Sequence, residues 1–325
     1  MLTYNGNIVT YGGSWVNADP LNPLGLPSRT MRVLFEDGYT PTSSYGTFTQ
    51  VSSAQGANIW DFYRNDGSWT FTFNSYVLEV LGANTSTVYG MARLFNNCQA
   101  LRSVALFDTS NVTNMSGMFK YCYSLPTIPL FDTSRVKNFS EMFLLCRSLA
   151  TLPQLDTSSA TNMSSFLDMG DYNANTSLTS LPQLDLSNVT NASHFCYNCR
   201  SLATVPTLDV SSATNLNGMF NGCYALTTAP ATNTVSATTM SSMYYHCRAL
   251  TSVPLLSTDV ATNVNAMFCD CPNVQSGALA LYNQMVSQAT PPSVYSYCFT
   301  DCGSNTVTGA AELAQIPSSW GGTGA

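Results

Sequence analysis

From residue 84 to about residue 271 the apolar positions recur with a fixed beat. With Asp108 as origin, Asp132, Asp156, Asp185 and Asp209 open equivalent units, and Asn84, Asn233 and Ser257 open three more. The steps are 24 residues, apart from one of 29 in which a five-residue insertion follows Gly170. In the stretch from Asp108 to Cys122, apolar residues fall at Val112, Met115, Met118, Phe119 and Cys122. Spacings of three, four and seven describe one face of a short helix, with Thr113 as its N-cap. The second half, Leu125 to Phe131, reads as an extended strand that ends at the next Asp. Units this short bury their apolar side only against neighbours. The pattern therefore predicts an α/β fold, a leucine-rich-repeat-like right-handed solenoid of 24-residue short-helix/strand units. Pro129, Pro153, Pro182, Pro206, Pro230 and Pro254 share one place in the unit. Proline cannot donate to a sheet ladder, so each ladder is expected to be a few residues long with proline at one end.

The flanks follow a period of two. Residues 1–17 alternate as a small meander, Leu2–Tyr4, Asn7–Tyr11 and Ser14–Asn17, with turns at Asn5-Gly6 and Gly12-Gly13. Three such strands are too small to form a core, and Pro20, Pro23 and Pro27 then mark a stiff linker. Residues 30–83 are aromatic and β-rich, with a hairpin expected around Asn65-Asp66-Gly67 that joins Ile59–Arg64 to Ser68–Phe73. This small β-rich region is expected to cap the first unit. After the repeats, Gly277–Ala289 reads as a helix and Tyr295–Cys302 as a ninth, degenerate unit. The chain thus divides into a docking segment and linker (1–29), a cap domain (30–83), eight units (84–271) and a C-terminal helix, degenerate repeat and cap (272–325).

Composition narrows the partners. Charged residues make up only 9% of the chain and the net charge is -7, so no basic field exists to hold nucleic acid. No apolar run nears the roughly 18 residues that would cross a membrane. The first residues lack a basic start and an apolar h-region, so no secretory signal is expected and folding is placed in a reducing cytoplasm. That bears on the eleven cysteines. Cys98, Cys122, Cys146, Cys199, Cys223, Cys247, Cys271 and Cys302 form a column expected to be small buried hydrophobes. The alternative, disulfides between neighbouring units, is disfavoured because parallel side chains have the wrong mutual orientation.

Candidate chemistry is sparse. His194, Cys196 and Cys199 are three zinc-type ligands without a fourth, and no metal site is predicted. The Asp column is expected to accept backbone N–H groups in the turn after each strand, with shared calcium as the alternative. The insertion Asp171-Tyr-Asn173-Ala-Asn175 lacks the glycine and distant Glu of a calcium loop. With two histidines, no nucleophile elbow, no phosphate loop and no dinucleotide fingerprint, neither catalytic residues nor a cofactor is predicted. The position after each cysteine stands out instead. Tyr123, Arg147, Arg200, Tyr224 and Arg248 form a candidate ligand-binding column, with aromatic faces for sugar rings and guanidinium forks for hydroxyls or acidic groups. Asp171 and Tyr172 are expected beside it. The competing reading is a solvated corner that covers the helix ends.

The run Phe107-Asp-Thr-Ser-Asn-Val-Thr-Asn-Met-Ser-Gly-Met-Phe119 resembles the repeat of BspA-like surface proteins, a bacterial relative of leucine-rich repeats. The flanks Val80-Leu-Gly-Ala-Asn-Thr85 and Ala311 to Trp320 resemble versions of that repeat carried by gut bacteriophages and prophages. The resemblance implies a non-enzymatic structural and binding protein: a virion component, decoration or fibre-like, assembled in the host cytoplasm. Its N-terminal segment would contact other virion proteins, and its repeats would face host surface polysaccharide or protein, with homo-oligomerisation left open. The alternative it implies is an adhesin on the bacterial cell surface.

Overall fold

Strand β3 (Thr30–Phe35) carries apolar side chains at four of its six positions and is buried at five, the mark of a strand covered on both faces, and it lies at the centre of a sheet. In the computed structural model, which describes residues 2–4, 7–9, 19–70, 72–170, 176–230 and 232–324, that sheet has five strands. β3 pairs antiparallel with β5 (Ala57–Tyr63) on one side and with β6 (Val77–Asn84) on the other. β4 (Thr47–Ala54) forms one edge beyond β5, and β7 (Ser103–Val104) forms the other, parallel to β6. The sheet is therefore open and mixed. Arg32 and Asp61 lie opposite in the β3–β5 register and form a two-pronged ion pair of 2.7 and 2.8 Å. Ahead of the sheet, β1 (Leu2–Tyr4) pairs antiparallel with β2 (Asn7–Val9). The turn expected at Asn5-Gly6 and the third meander strand, Ser14–Asn17, lie outside the described residues.

The hairpin forms elsewhere than expected. β4 and β5 are joined at Gln55-Gly56, where Gly56 takes a φ of 72° and the Asp37 carboxylate accepts its N–H at 2.8 Å. At Asn65-Asp66-Gly67 the Asp66 carboxylate instead holds Arg64 and the Ser68 N–H, and the chain leaves the sheet. Trp69 N–H then bonds to the carbonyl of Gly90 at 2.8 Å.

The expected leucine-rich-repeat-like right-handed solenoid of short-helix/strand units is overturned. No helix–strand unit recurs: the described residues hold two short α-helices, both after the repeats, and the extended structure is concentrated in the mixed sheet. The 24-residue sequence period is carried by turns. In the unit that begins at Asp108, Met118 N–H bonds to Met115 O at 3.1 Å and Cys122 N–H to Phe119 O at 3.0 Å, which closes two successive four-residue turns. Alternate donors point to the following unit, Met115 to Asn138 O, Gly117 to Ser140 O, Phe119 to Met142 O and Tyr121 to Leu144 O, while Lys120 N–H returns to Gly117 O at 3.1 Å. The third residue of each turn is left-handed, Gly117 at φ 59° and Tyr121 at 64°, as a type II turn requires and an α-helix forbids. Thr113 caps nothing; its N–H bonds to Tyr89 O at 3.0 Å.

Among the described residues the second halves form no strands beyond β7. Proline supplies no donor, and Phe131 and Leu155 bond back to Pro129 O and Pro153 O at 3.0 and 2.9 Å, which curls the chain locally. Isolated parallel bridges link this side, as at Ser180 with Thr204 and Ser252 with Ser276, together with single bonds such as Ala150 N–H to Pro126 O at 2.8 Å.

One apolar core runs from Met31 to Trp320. Along it the rings of Phe73, Phe95, Phe119 and Phe143 stack at successive centroid distances of 5.8, 5.5 and 5.8 Å. The segment read as a detached linker joins this packing: Leu26 is buried and its carbonyl accepts from Asn84 Nδ2 at 2.9 Å. Helices α1 (Ala278–Val286) and α2 (Val307–Leu313) close the other end. The Glu312 carboxylate ties them by accepting the N–H groups of Gly277 and Leu279 at 3.2 and 3.0 Å. No helix among the described residues is long and apolar enough to cross a membrane.

Candidate functional site

The cysteine column sets the position of the candidate binding column. Cys122, Cys146, Cys223 and Cys247 are fully buried, and each Sγ donates to a carbonyl one unit back, at Phe95, Phe119, Cys196 and Phe220, over 3.0 to 3.2 Å. Each thiol thus anchors the close of the second turn, and the next residue is placed on the outer corner. All eleven cysteines are free thiols. Burial pushes Cys98, Cys146 and Cys223 up from the ordinary thiol range.

On the corner, Tyr123, Arg147, Arg200, Tyr224 and Arg248 do come together, in two groups. The Arg147 guanidinium lies 5.5 Å from the centroid of the Tyr123 ring. Tyr224 is flanked by Arg200 of the unit before it at 4.4 Å and Arg248 of the unit after it at 4.9 Å. The groups differ in their counter-charges. Arg248 donates from Nε and Nη2 to Asp270 Oδ2 at 3.0 and 2.9 Å, which raises its pKa, and His246 Nδ1 meets the same oxygen. Arg147 and Arg200 have no carboxylate partner among the described residues, and the Nε of each is enclosed without an acceptor. Asp171 and Tyr172, expected beside the column, lie outside the described residues.

His246 and Asp270 are members of this site that sequence reasoning missed. Each directly precedes a column cysteine, and they stand 24 residues apart, which was the available signal. The arrangement offers guanidinium donors and aromatic surfaces, the means of holding a ligand.

The zinc-type triplet is not assembled. Cys196 and Cys199 are buried in the core, whereas His194 stands half-buried outside it, with its ring against Tyr197 and Nε2 at 3.4 Å from Asn217. The Asp column behaves as turn acceptors. Asp108, Asp132, Asp156, Asp185 and Asp209 each accept the N–H two residues onward at 2.9 to 3.0 Å. The Ser158 and Ser187 hydroxyls also donate to Asp156 and Asp185 and lower their pKa values. A groove of about 600 Å³ crosses this face over Gln154, Asp156, Gln183, Asp185 and Asp209.

The profile of a family described as "Mycoplasma protein of unknown function, DUF285" matches residues 67–180 and 168–280. No curated protein and no solved structure matches the chain.

Proposed function

We propose, from the premise that the chain belongs to the DUF285 family of Mycoplasma proteins of unknown function, that it is a non-enzymatic surface protein that binds through its outer corner. The observation that carries this reading is the stack of Arg200, Tyr224 and Arg248, continued by Tyr123 and Arg147. These two clusters present guanidinium groups seated on tyrosine rings, and Arg and Tyr are the residues on which binding energy concentrates. The likeness of the repeats to BspA-like surface proteins, and of the flanks to versions carried by gut phages and prophages, supports a virion decoration or fibre-like component that attaches to host polysaccharide or protein. Joint replacement of Arg147, Arg200 and Arg248 by Ala is expected to weaken attachment of the purified protein to host cells while its melting curve stays cooperative. Unchanged attachment by that folded variant would return the column to the role of a solvated corner.

The second reading, an adhesin on a bacterial cell surface, draws on the family's Mycoplasma members. Mass spectrometry of purified phage particles and of host envelope fractions separates the two: the chain is expected in the particles, and recovery in the envelope alone would favour the adhesin.

A further inference from the structure

We infer that Arg147 and Arg200 are two anion subsites that take the carboxylates of an acidic polysaccharide. This deepens the binding reading above and rests on it, but not on the virion assignment. The argument begins with the tyrosines. Tyr224 is flanked by guanidinium groups from the units before and after it, and Tyr123 carries Arg147 over its ring. Tyr224 is thus covered from two sides and Tyr123 from one, so these rings act as platforms for arginine more than as surfaces for a neutral sugar. Recognition falls to the in-plane N–H edges that stacking leaves exposed.

The edges are unequal along the column. Arg248 already spends two of its donors on Asp270. Arg147 and Arg200 have no such partner among the described residues, although acidic groups outnumber basic ones in this chain, 18 to 11. Arg32, Arg64, Arg102 and Lys120 are each paired to a carboxylate, while Arg29 and Arg135 bond to neutral groups away from the column. The Nε of Arg147 and that of Arg200 are also enclosed and lack an acceptor. Enclosure of Nε fixes the orientation of each guanidinium, and an arginine keeps its charge at any ordinary pH. Two positions of one column share this lack of a carboxylate, and each residue is only half-buried, so an incoming carboxylate would meet the outer Nη edge of the guanidinium, whose two N–H groups match its two oxygens in one plane. A polymer with a carboxylate on successive sugars would reach both stations along one edge of the molecule.

The test is affinity electrophoresis of the full chain through gels containing polygalacturonate, dextran or single-stranded DNA. Polygalacturonate is expected to retard the protein, dextran and DNA are not, and raising the salt to 0.3 M should weaken the retardation as for an ionic contact. The double variant Arg147→Gln/Arg200→Gln should lose at least tenfold in affinity. Arg147→Lys/Arg200→Lys, which keeps the charge but not the fork, should recover only part of it. Arg135→Gln, whose guanidinium bonds to Asn111 on another part of the unit, should bind as the parent does. Equal retardation by dextran, equal retardation by DNA, or undiminished binding of the folded Gln double variant would each overturn the inference. No retardation by polygalacturonate, together with loss of host attachment in the triple Ala variant, would overturn the acidic ligand alone and leave the binding reading standing.

Discussion

Tyr121, Glu141, Leu145, Ser242 and Ala266 hold backbone angles that favour glycine, with φ between 52° and 64°. Each such residue costs roughly 1–2 kcal/mol, so relief at a position whose side chain makes no hydrogen bond should stabilise the fold. Ser242 is one, and Gly218 occupies the same place one unit earlier. Ser242→Gly is expected to raise the unfolding free energy by about 1 kcal/mol in a urea titration. Gly222→Ala should act in the opposite direction: its Cβ would lie 2.0 Å from Asn198 Oδ1 and 3.1 Å from Asn198 Cα, in the buried interior. A loss of about 2–3 kcal/mol is expected there. The thiols add a pH dependence. Buried Cys98, Cys146 and Cys223 titrate above the ordinary value of 9.0, so the folded chain keeps protons that the unfolded chain releases. Stability should therefore be insensitive to thiol ionisation below pH 9 and fall above it, by about 1.4 kcal/mol per pH unit for each such thiol. Unfolding at pH 8 and pH 10 measures this. Thiol titration in denaturant without reductant should recover eleven, and recovery of one or two would contradict the free-thiol column.

The stacked turns depend on the rings they enclose. Phe119 lies between Phe95 and Phe143 with nearly parallel planes and is fully buried, so Phe119→Ala should cost about 3–5 kcal/mol in the same titration. This element explains where sequence reasoning succeeded and failed. Met115, Met118, Phe119 and Cys122 were rightly expected to face inward, because apolar spacing reports burial whatever the backbone does. The helix was wrong because two consecutive four-residue turns place their corners at the same spacings of three and four. What separates the cases is left-handed φ at every fourth residue, and glycine announces it only at Gly117, Gly218 and Gly222, whereas Tyr121, Glu141 and Leu145 conceal it. The strands failed for a reason the sequence did show: prolines at a fixed place remove the donors a ladder needs.

Across the whole molecule, the N-terminal segment is less detachable than its prolines suggest. Leu26 is buried, and the Arg29 N–H bonds to Asn84 O at 2.8 Å. Deletion of residues 1–28 should therefore destabilise the protein by about 2 kcal/mol relative to deletion of residues 1–18, as expected for uncovering one core leucine. Equal melting points for the two truncations would show that Leu26 contributes nothing to the core. The candidate site was legible only in part at this scale. The Tyr and Arg column follows from counting along the period, but its counter-charges do not. Only folding shows that Asp270 serves Arg248 and that Arg147 and Arg200 have no carboxylate partner among the described residues.

The first left-handed position of each unit bears on how such a chain diversifies. It is held by backbone hydrogen bonds, and its nine occurrences carry seven residue types: Arg93, Gly117, Glu141, Ser165, His194, Gly218, Ser242, Ala266 and Tyr297. The backbone therefore sets no single chemical requirement there, although neighbours one unit apart must fit each other: a Cβ at Gly218 would lie 2.5 Å from His194 Cδ2. Acidic, basic, aromatic and aliphatic groups can be exchanged at this place without renegotiating the interior, as long as the apolar corners and the thiol stay. A lineage built on this backbone can rewrite its outer surface one unit at a time while inheriting its core unchanged.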